Sequence, residues 1–283
     1  MADIYESITN RIIELLEKVS ESDANPFAQF TNRGKYNYKT KRQYSLLNSL
    51  LLPKEGGYLT FKQALEMGGK PKKGSKTHPI YFFTFVKKTN EDGTEEEFPI
   101  LKYFNVFHTD DIEGVEFKEN EFKSDIPDDV NEIEDAITAY LDRSSVNLQY
   151  EDYKDIAVYN KINDSVTISV PERFKDYDSY YHTLFHELSH STGTMERLHR
   201  KEIVNGCQFG DCDYSREELT AELSSCMILS HFNINQYKNF KMCAGYVKSW
   251  IQALRNDKRM IVYASSRAEK ACRYILTGEE PQY

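Results

Sequence analysis

Residues 186–196 read HELSHSTGTME. On a helix, positions i and i+4 lie one above the other, so His186 and His190 can face one ion while Glu187 sits beside a water on it. Two imidazoles and a carboxylate in this arrangement suit metal-assisted hydrolysis. Zinc would lower the pKa of its bound water to about 7 and polarise a carbonyl, while Glu187 takes the proton and delivers it to the leaving nitrogen. Peptide hydrolysis is the default chemistry. The same spacing also occurs in surface helices whose histidines only face water. Here Tyr180, Tyr181, Leu184, Phe185 and Leu188 add an apolar stripe at helical spacing, and Gly193 offers a stop after His190, which favours the metal reading.

A catalytic zinc normally takes three protein ligands, and two candidates for the third lie downstream. Glu196 completes HExxHxxGxxE and imitates the metzincin pattern, which uses histidine at that last place. Glu218 lies on a helix expected to run from about residue 215 to 230, with Glu222 one turn further on. If Glu218 holds the ion, Glu222 can accept a hydrogen bond from a ligating histidine's other ring N–H, and this double use favours Glu218. The plainer reading of Glu217, Glu218 and Glu222 is a solvated helix N-terminus, where acidic residues suit the helix dipole. Tyr214, His199 and Arg197 are all candidates for stabilising an oxyanion, and the sequence does not separate them.

The chain of 283 residues has room for two domains and a net charge of −9, with 40% apolar residues. It contains no apolar run of about 18 residues, so no transmembrane helix is expected. The N-terminal residues carry acids early and lack an apolar core ending in small residues; they read as an amphipathic helix on Ile4, Ile8, Ile12, Leu15 and Leu16 rather than a signal peptide. A cytoplasmic protein without a membrane partner is the expectation. All five cysteines lie beyond residue 200, an odd number that suits reduced thiols. Cys207 and Cys212 form C-x4-C with no matching pair, a weak metal signal.

Charge is segregated along the chain. Residues 31–88 carry thirteen lysines and arginines against Glu55 and Glu66. Residues 91–136 carry seventeen acids against Lys102, Lys118 and Lys123, and read as a solvated loop and linker, or alternatively as a DNA-like negative surface facing a DNA-binding enzyme. The basic stretch is interleaved with aromatics, among them Phe27, Phe30, Tyr36, Tyr38, Tyr44, Tyr58, Phe61, Tyr81 and Phe82. Positive charge follows a phosphate backbone and ring faces stack on unpaired bases, which is the chemistry of single-strand binding. Arg33, Lys35, Tyr36, Tyr38, Lys39, Lys41, Arg42, Lys62, Lys72, Lys73 and Lys76 are the candidate DNA contacts. Burial in a core strand competes for several of these rings.

The expected fold class is α+β. Helices are expected near residues 43–52 and 61–67, the latter capped by Thr60, and a hairpin joins strands near 80–87 and 98–107. Beyond these lie a helix at 131–142, paired strands at 156–159 and 165–170, and at least four helices. The division is a small α+β domain over residues 1–124 and, over 125–283, a mostly helical domain with a short β-sheet.

Several segments together resemble the ArdC-type antirestriction family of mobile genetic elements. They are NSLLL at 48–52, YLTFKQALEMGGKPKKGSK at 58–76, YFNVF at 103–107, YYHTLFHELSHSTG at 180–193, RLHR at 197–200, YSREELTAEL at 214–223 and VKSWIQALRNDKRMIVYASSRAEKACRYIL near the C-terminus. The resemblance implies an N-terminal domain that binds single-stranded DNA and a C-terminal zincin-like metallopeptidase domain, which together protect incoming DNA from host restriction. It implies His186, His190 and Glu218 as zinc ligands and Glu187 as the catalytic glutamate. Such proteins often carry tryptophans beside the proline where this chain has Asn25, Pro26 and Phe27; its one tryptophan is Trp250. Two rival readings stay open: a zinc endopeptidase that recognises a protein substrate without DNA, and a non-enzymatic protein that blocks restriction enzymes through its acidic surface.

Overall fold

The computed structural model describes residues 3–19, 34–89, 95–118, 130–206, 212–232, 234 and 244–279. The chain divides into two compact units: Met1–Ile4 with Arg33–Phe122, and Tyr5–Asn32 with Lys123–Tyr283. The first helix, α1 (Ile4–Val19), therefore packs largely within the second unit, not with the N-terminal residues that follow it. Its periodicity creates an apolar face, with Ile8, Ile12, Ile13 and Leu16 buried. Polar contacts then select the body that this face covers. Thr9 donates to the carbonyl of Lys258 at 2.7 Å, Lys258 pairs with Glu6 at 3.0 Å and Arg255 with Glu17 at 2.9 Å.

In the first unit, β1 (Lys35–Asn37) leads to helix α2 (Leu46–Leu51), strand β2 (Gly56–Thr60), helix α3 (Phe61–Glu66) and the short β3 (Lys70–Pro71). A long hairpin follows, β4 (His78–Thr89) and β5 (Glu95–His108), and then β6 (Ile112–Glu113). The four-stranded sheet has the order β1-β2-β5-β4, with β1 and β2 parallel and the rest antiparallel; β3 pairs with β6. Ser45 caps α2, and Thr60 with Gln63 forms a reciprocal capping box on α3, satisfying amide groups that a helix start leaves unpaired. Gly56 has a positive φ of 120°, and a Cβ there would meet His108 Nε2 at 2.5 Å, so strand β2 needs glycine at its first residue. Asn48, buried on α2, donates its amide to the carbonyl of Tyr81 at 2.9 Å and accepts from the Tyr81 N–H at 2.7 Å. It thus fastens the helix to the outer strand β4.

The second unit continues with α4 (Val130–Ser144), β7 (Asn147–Glu151), β8 (Ala157–Asn160), β9 (Ser165–Ser169), α5 (Tyr177–Ser191), α6 (Lys201–Asn205), α7 (Cys212–His231), α8 (Ala244–Asn256) and α9 (Met260–Thr277). Its sheet has the order β7-β9-β8, parallel between β7 and β9 and antiparallel between β8 and β9. Helices α5, α7 and α9 pack against one another and α5 lies against β8 and β9. Ile137, Tyr140, Val166, Ile168, Leu184, Phe185, Leu188, Ile228 and Ile275 form one continuous core. Asp176 caps α5 by accepting from the N–H of Ser179. Among the described residues, no helix is long and apolar enough to cross a membrane.

Candidate metal centre and nucleic-acid face

Helix α5 carries His182, His186 and His190 at successive i+4 positions, and the facing helix α7 carries Glu218, Glu222 and Cys226 in the same way. Their packing brings His186, His190 and Glu218 into one group. His186 Nε2 lies 3.1 Å from His190 Nε2, and each lies 3.5 Å from an oxygen of Glu218. Tetrahedral bonds of roughly 2.0–2.1 Å place neighbouring donors about 3.3 Å apart, so these three donors suit a divalent ion without rearrangement.

The other ring nitrogens are held from behind. His190 Nδ1 meets Glu217 Oε1 at 3.1 Å, and His186 Nδ1 lies 3.4 Å from Glu222 Oε2. A carboxylate on Nδ1 fixes the tautomer that leaves Nε2 for a metal. The three glutamates of α7 therefore divide the work: Glu218 faces the ion position, while Glu217 and Glu222 orient the two histidines. Glu217 had read as a helix-end acid with nothing to do. The residue that makes it structural is Arg200, buried at 3% exposure, whose Nε and Nη2 reach the two Glu217 oxygens at 2.8 and 2.7 Å. Arg200 also donates to the carbonyl of Ser189 and the hydroxyl of Thr192, tying the end of α5 to α7.

This network also explains Gly193. A Cβ there would meet Ile203 Cγ1 at 2.6 Å and Arg200 Nη2 at 2.9 Å. The glycine admits the Arg200 guanidinium; Glu196, which the metzincin-like spacing offered as a ligand, is exposed and outside the group of donors. Arg197 is committed to Asp164 and to the carbonyls of Ser191 and Ser144, so it braces the turn after α5 and does not stabilise an oxyanion. His199 is exposed, with a positive φ of 47°.

Burial raises the cost of ionising Glu217, but Arg200 and His190 outweigh it and hold the carboxyl at about 2. The same opposition keeps Glu222 far below the usual carboxylate range, with His182 its largest stabiliser, and Glu218 below it through His186. For His186, burial works against the charged ring, yet Glu218 and Glu222 carry its pKa well above the ordinary value. The three carboxylates of α7 concentrate negative charge around the two imidazoles. Glu187 follows His186 on α5 and adds to it. Its Oε2 accepts the N–H of Tyr159 on β8 at 2.7 Å, and its Oε1 has no protein partner among the described residues.

The basic residues of the first unit are placed very differently. Lys35 and Tyr36, expected at a DNA surface, are buried. The Lys35 ammonium donates to the carbonyls of Ser49 at 2.6 Å and Leu52 at 2.8 Å, closing the C-terminal end of α2, and burial draws its pKa down to about 8. Lys39 pairs with Glu66, which Lys62 also approaches at 3.9 Å. Lys72 donates to the carbonyl of Asp110, and Lys41 lies 3.6 Å from the ring centroid of Tyr38. Arg42, Lys73 and Lys76 are exposed without an ion pair among the described residues, while Arg33, Phe27 and Phe30 lie outside them. Tyr58 and Tyr81 are core residues. Among the described residues of this unit, the exposed rings are Phe61 and Phe82 together with Tyr103 and Phe104 of β5, the last two in the stretch read for its acids. Phe82 and Phe104 meet edge to face at 5.6 Å.

Known proteins share this organisation. Residues 2–107 match the N-terminal domain of anti-restriction factor ArdC, and residues 135–267 match a zincin-like metallopeptidase family. The crystal structure of the antirestriction ArdC protein from the R388 plasmid, in its metal-free form, superposes with a TM-score of 0.73 at 27% identity, over 99% of this chain and 100% of that one. Its Mn(II)-bound form gives 0.73 at 26% identity, over 96% and 97%. Two DNA primases TraC of Escherichia coli are each 28% identical over 87% of this chain, which spans only 24% and 18% of their lengths.

Proposed function

Because this chain belongs to the ArdC-type antirestriction family, with its ArdC N-terminal domain and its zincin-like domain, we propose that it binds single-stranded DNA and carries a zinc peptidase site, protecting incoming DNA in the cytoplasm. The observation that carries the reading is the triangle of His186, His190 and Glu218 with Glu187 beside it. These three residues would hold the ion. When bound, it would supply Lewis acidity, activating water and polarising a peptide carbonyl.

The protein's own part follows from its hydrogen bonds. Glu217 and Glu222 face the Nδ1 atoms of the two rings, which turns both Nε2 atoms towards one point. Glu187 is fixed through Oε2, leaving Oε1 to accept a proton and pass it to the departing amine. Tyr159 lies on β8, which among the described residues is an edge strand paired with β9, so its N–H links the proton acceptor to the edge of the sheet. In the first unit, Arg42, Lys73 and Lys76 supply charge for phosphates, and Phe61, Phe82, Tyr103 and Phe104 supply faces for bases.

Fluorescence anisotropy of a labelled single-stranded oligonucleotide, repeated over a salt series with duplex competitor, tests the DNA half. Tight, salt-sensitive binding that prefers single strands is expected. Failure at low salt would remove the DNA reading and leave a peptidase that acts on protein alone. For the catalytic half, Glu187→Gln should keep its metal and lose peptide cleavage; cleavage at the wild-type rate by that variant would sink it.

A further inference from the structure

The rungs of the α5–α7 ladder do not end at the first site. One turn before His186 lies His182, and one turn after Glu222 lies Cys226. His182 Nε2 is 3.1 Å from Glu222 Oε1, and Cys226 Sγ is 3.8 Å from the same oxygen. The three donors all lie within 4.8 Å of one another, and all three residues are buried. We propose that His182, Glu222 and Cys226 form a second metal site, of thiolate, imidazole and carboxylate donors, directly behind the first.

The donor spacing is one argument. Bonds of about 2.0 Å to nitrogen and oxygen and about 2.3 Å to sulfur separate tetrahedral donors by roughly 3.3–3.5 Å, and the observed 3.1 and 3.8 Å bracket that span. Charge is another. A dication placed here meets one carboxylate, one neutral imidazole and a thiol that gives up its proton on binding, so the buried centre is neutral. The geometry of Glu222 is the third. Its Oε1 faces His182 and Cys226, whereas its Oε2 lies 3.4 Å from His186 Nδ1. One carboxylate can thus ligate the inner ion and orient a histidine of the outer one, with a different oxygen for each task. Hydrogen bonds alone also account for these distances, with the Cys226 thiol donating to Glu222 and no ion bound; the two arrangements differ in metal content.

The donors predict selectivity. Thiolate favours zinc and cobalt over manganese, while the two imidazoles and carboxylate of the outer site accept either class. The 283-residue chain, stripped with chelator, reloaded and dialysed, should retain two zinc ions per chain but one manganese. The cobalt-loaded protein should show the near-ultraviolet thiolate-to-cobalt charge-transfer band, which the outer site cannot produce because it has no sulfur. Cys226→Ser and His182→Ala should each lower zinc from two to one, and Cys226→Ser should abolish the band. Glu218→Ala should also leave one ion, but with the band intact, which separates failure of the outer site from failure of this one. One zinc per wild-type chain without a charge-transfer band would overturn the assignment, and that reading needs no variant to fold. A band that survives Cys226→Ser would place the thiolate at another cysteine and overturn it equally.

Discussion

The two units put their charged residues to opposite uses. In the first, the basic residues looked like a binding surface because of their number, yet Lys35 closes a helix from inside the core and Lys39, Lys62 and Lys72 are engaged by Glu66 or by the Asp110 carbonyl. In the second, Glu217, Glu218 and Glu222 could be read as solvated acids at a helix start, although their spacing favoured Glu218 as a ligand, and each faces a histidine of α5. Number is a poor guide because a charge can be spent on the nearest backbone carbonyl. Spacing is a better one, because a four-residue repeat on one helix fixes which side chains share a face.

The strongest test of this contrast is Glu217→Ala. Removing that carboxylate leaves Arg200 charged and buried without its partner, and should cost the second unit roughly 3–5 kcal/mol. Metal affinity should fall by about 10–100-fold as His190 loses its orienting group. Urea unfolding followed by the fluorescence of Trp250, the sole tryptophan, reads the first effect, and metal titration the second. Glu196→Ala, at an exposed position, should stay within about 0.5 kcal/mol of the parent. Equal losses from the two variants would erase the distinction between engaged and solvated acids.

The next effect concerns Lys35. Its folded pKa of about 8 lies below the usual lysine value of 10.5, so between these values the unfolded chain holds a proton that the folded chain has lost. This group therefore makes the first unit more stable as pH rises from about 8 towards 10. In Lys35→Met the rise should disappear, and the Ser49 and Leu52 carbonyls, left without their donor, should cost about 1–3 kcal/mol at neutral pH. Far-ultraviolet dichroism during unfolding, compared with the Trp250 transition, isolates the first unit. A rise that persists in the variant would show that Lys35 is not its source.

The smallest stability effect, and the sharpest test of the surface that remains, comes from Lys73→Ala and Lys76→Ala. Each should leave unfolding within about 0.5 kcal/mol. Each should also weaken single-strand binding and reduce the slope of log affinity against log salt by about 0.7. If neither variant changes the slope while the wild type binds, the phosphate path runs elsewhere on the unit.

What the sequence made readable follows the same division. Helices α5 and α7 and the Glu218 and Glu222 spacing were legible because helical periodicity is local. The role of Glu217 was not, because it depends on Arg200, seventeen residues away on a loop that Gly193 admits to the site. His182 was passed over because it lies outside the HExxH unit, although it continues the same four-residue step. Strand β7 escaped notice because NLQYE buries too little to alternate clearly and is a strand by virtue of its parallel pairing with β9. For α1, the apolar stripe announced a helix, but only Thr9, Glu6 and Glu17 say which body it covers.

The double hydrogen bond of Asn48 to Tyr81 carries a consequence for how the first unit assembles. The amide imitates one residue of a neighbouring strand, joined to a partner 33 positions along the chain. By occupying both peptide groups of Tyr81, it removes one rung of the template that an outer strand offers to a second chain. The pair also depends on strand alignment, since a slip of one residue would turn the wrong peptide groups towards the amide. A polar side chain on a six-residue helix thus fits one register of the outer strand and not its neighbours.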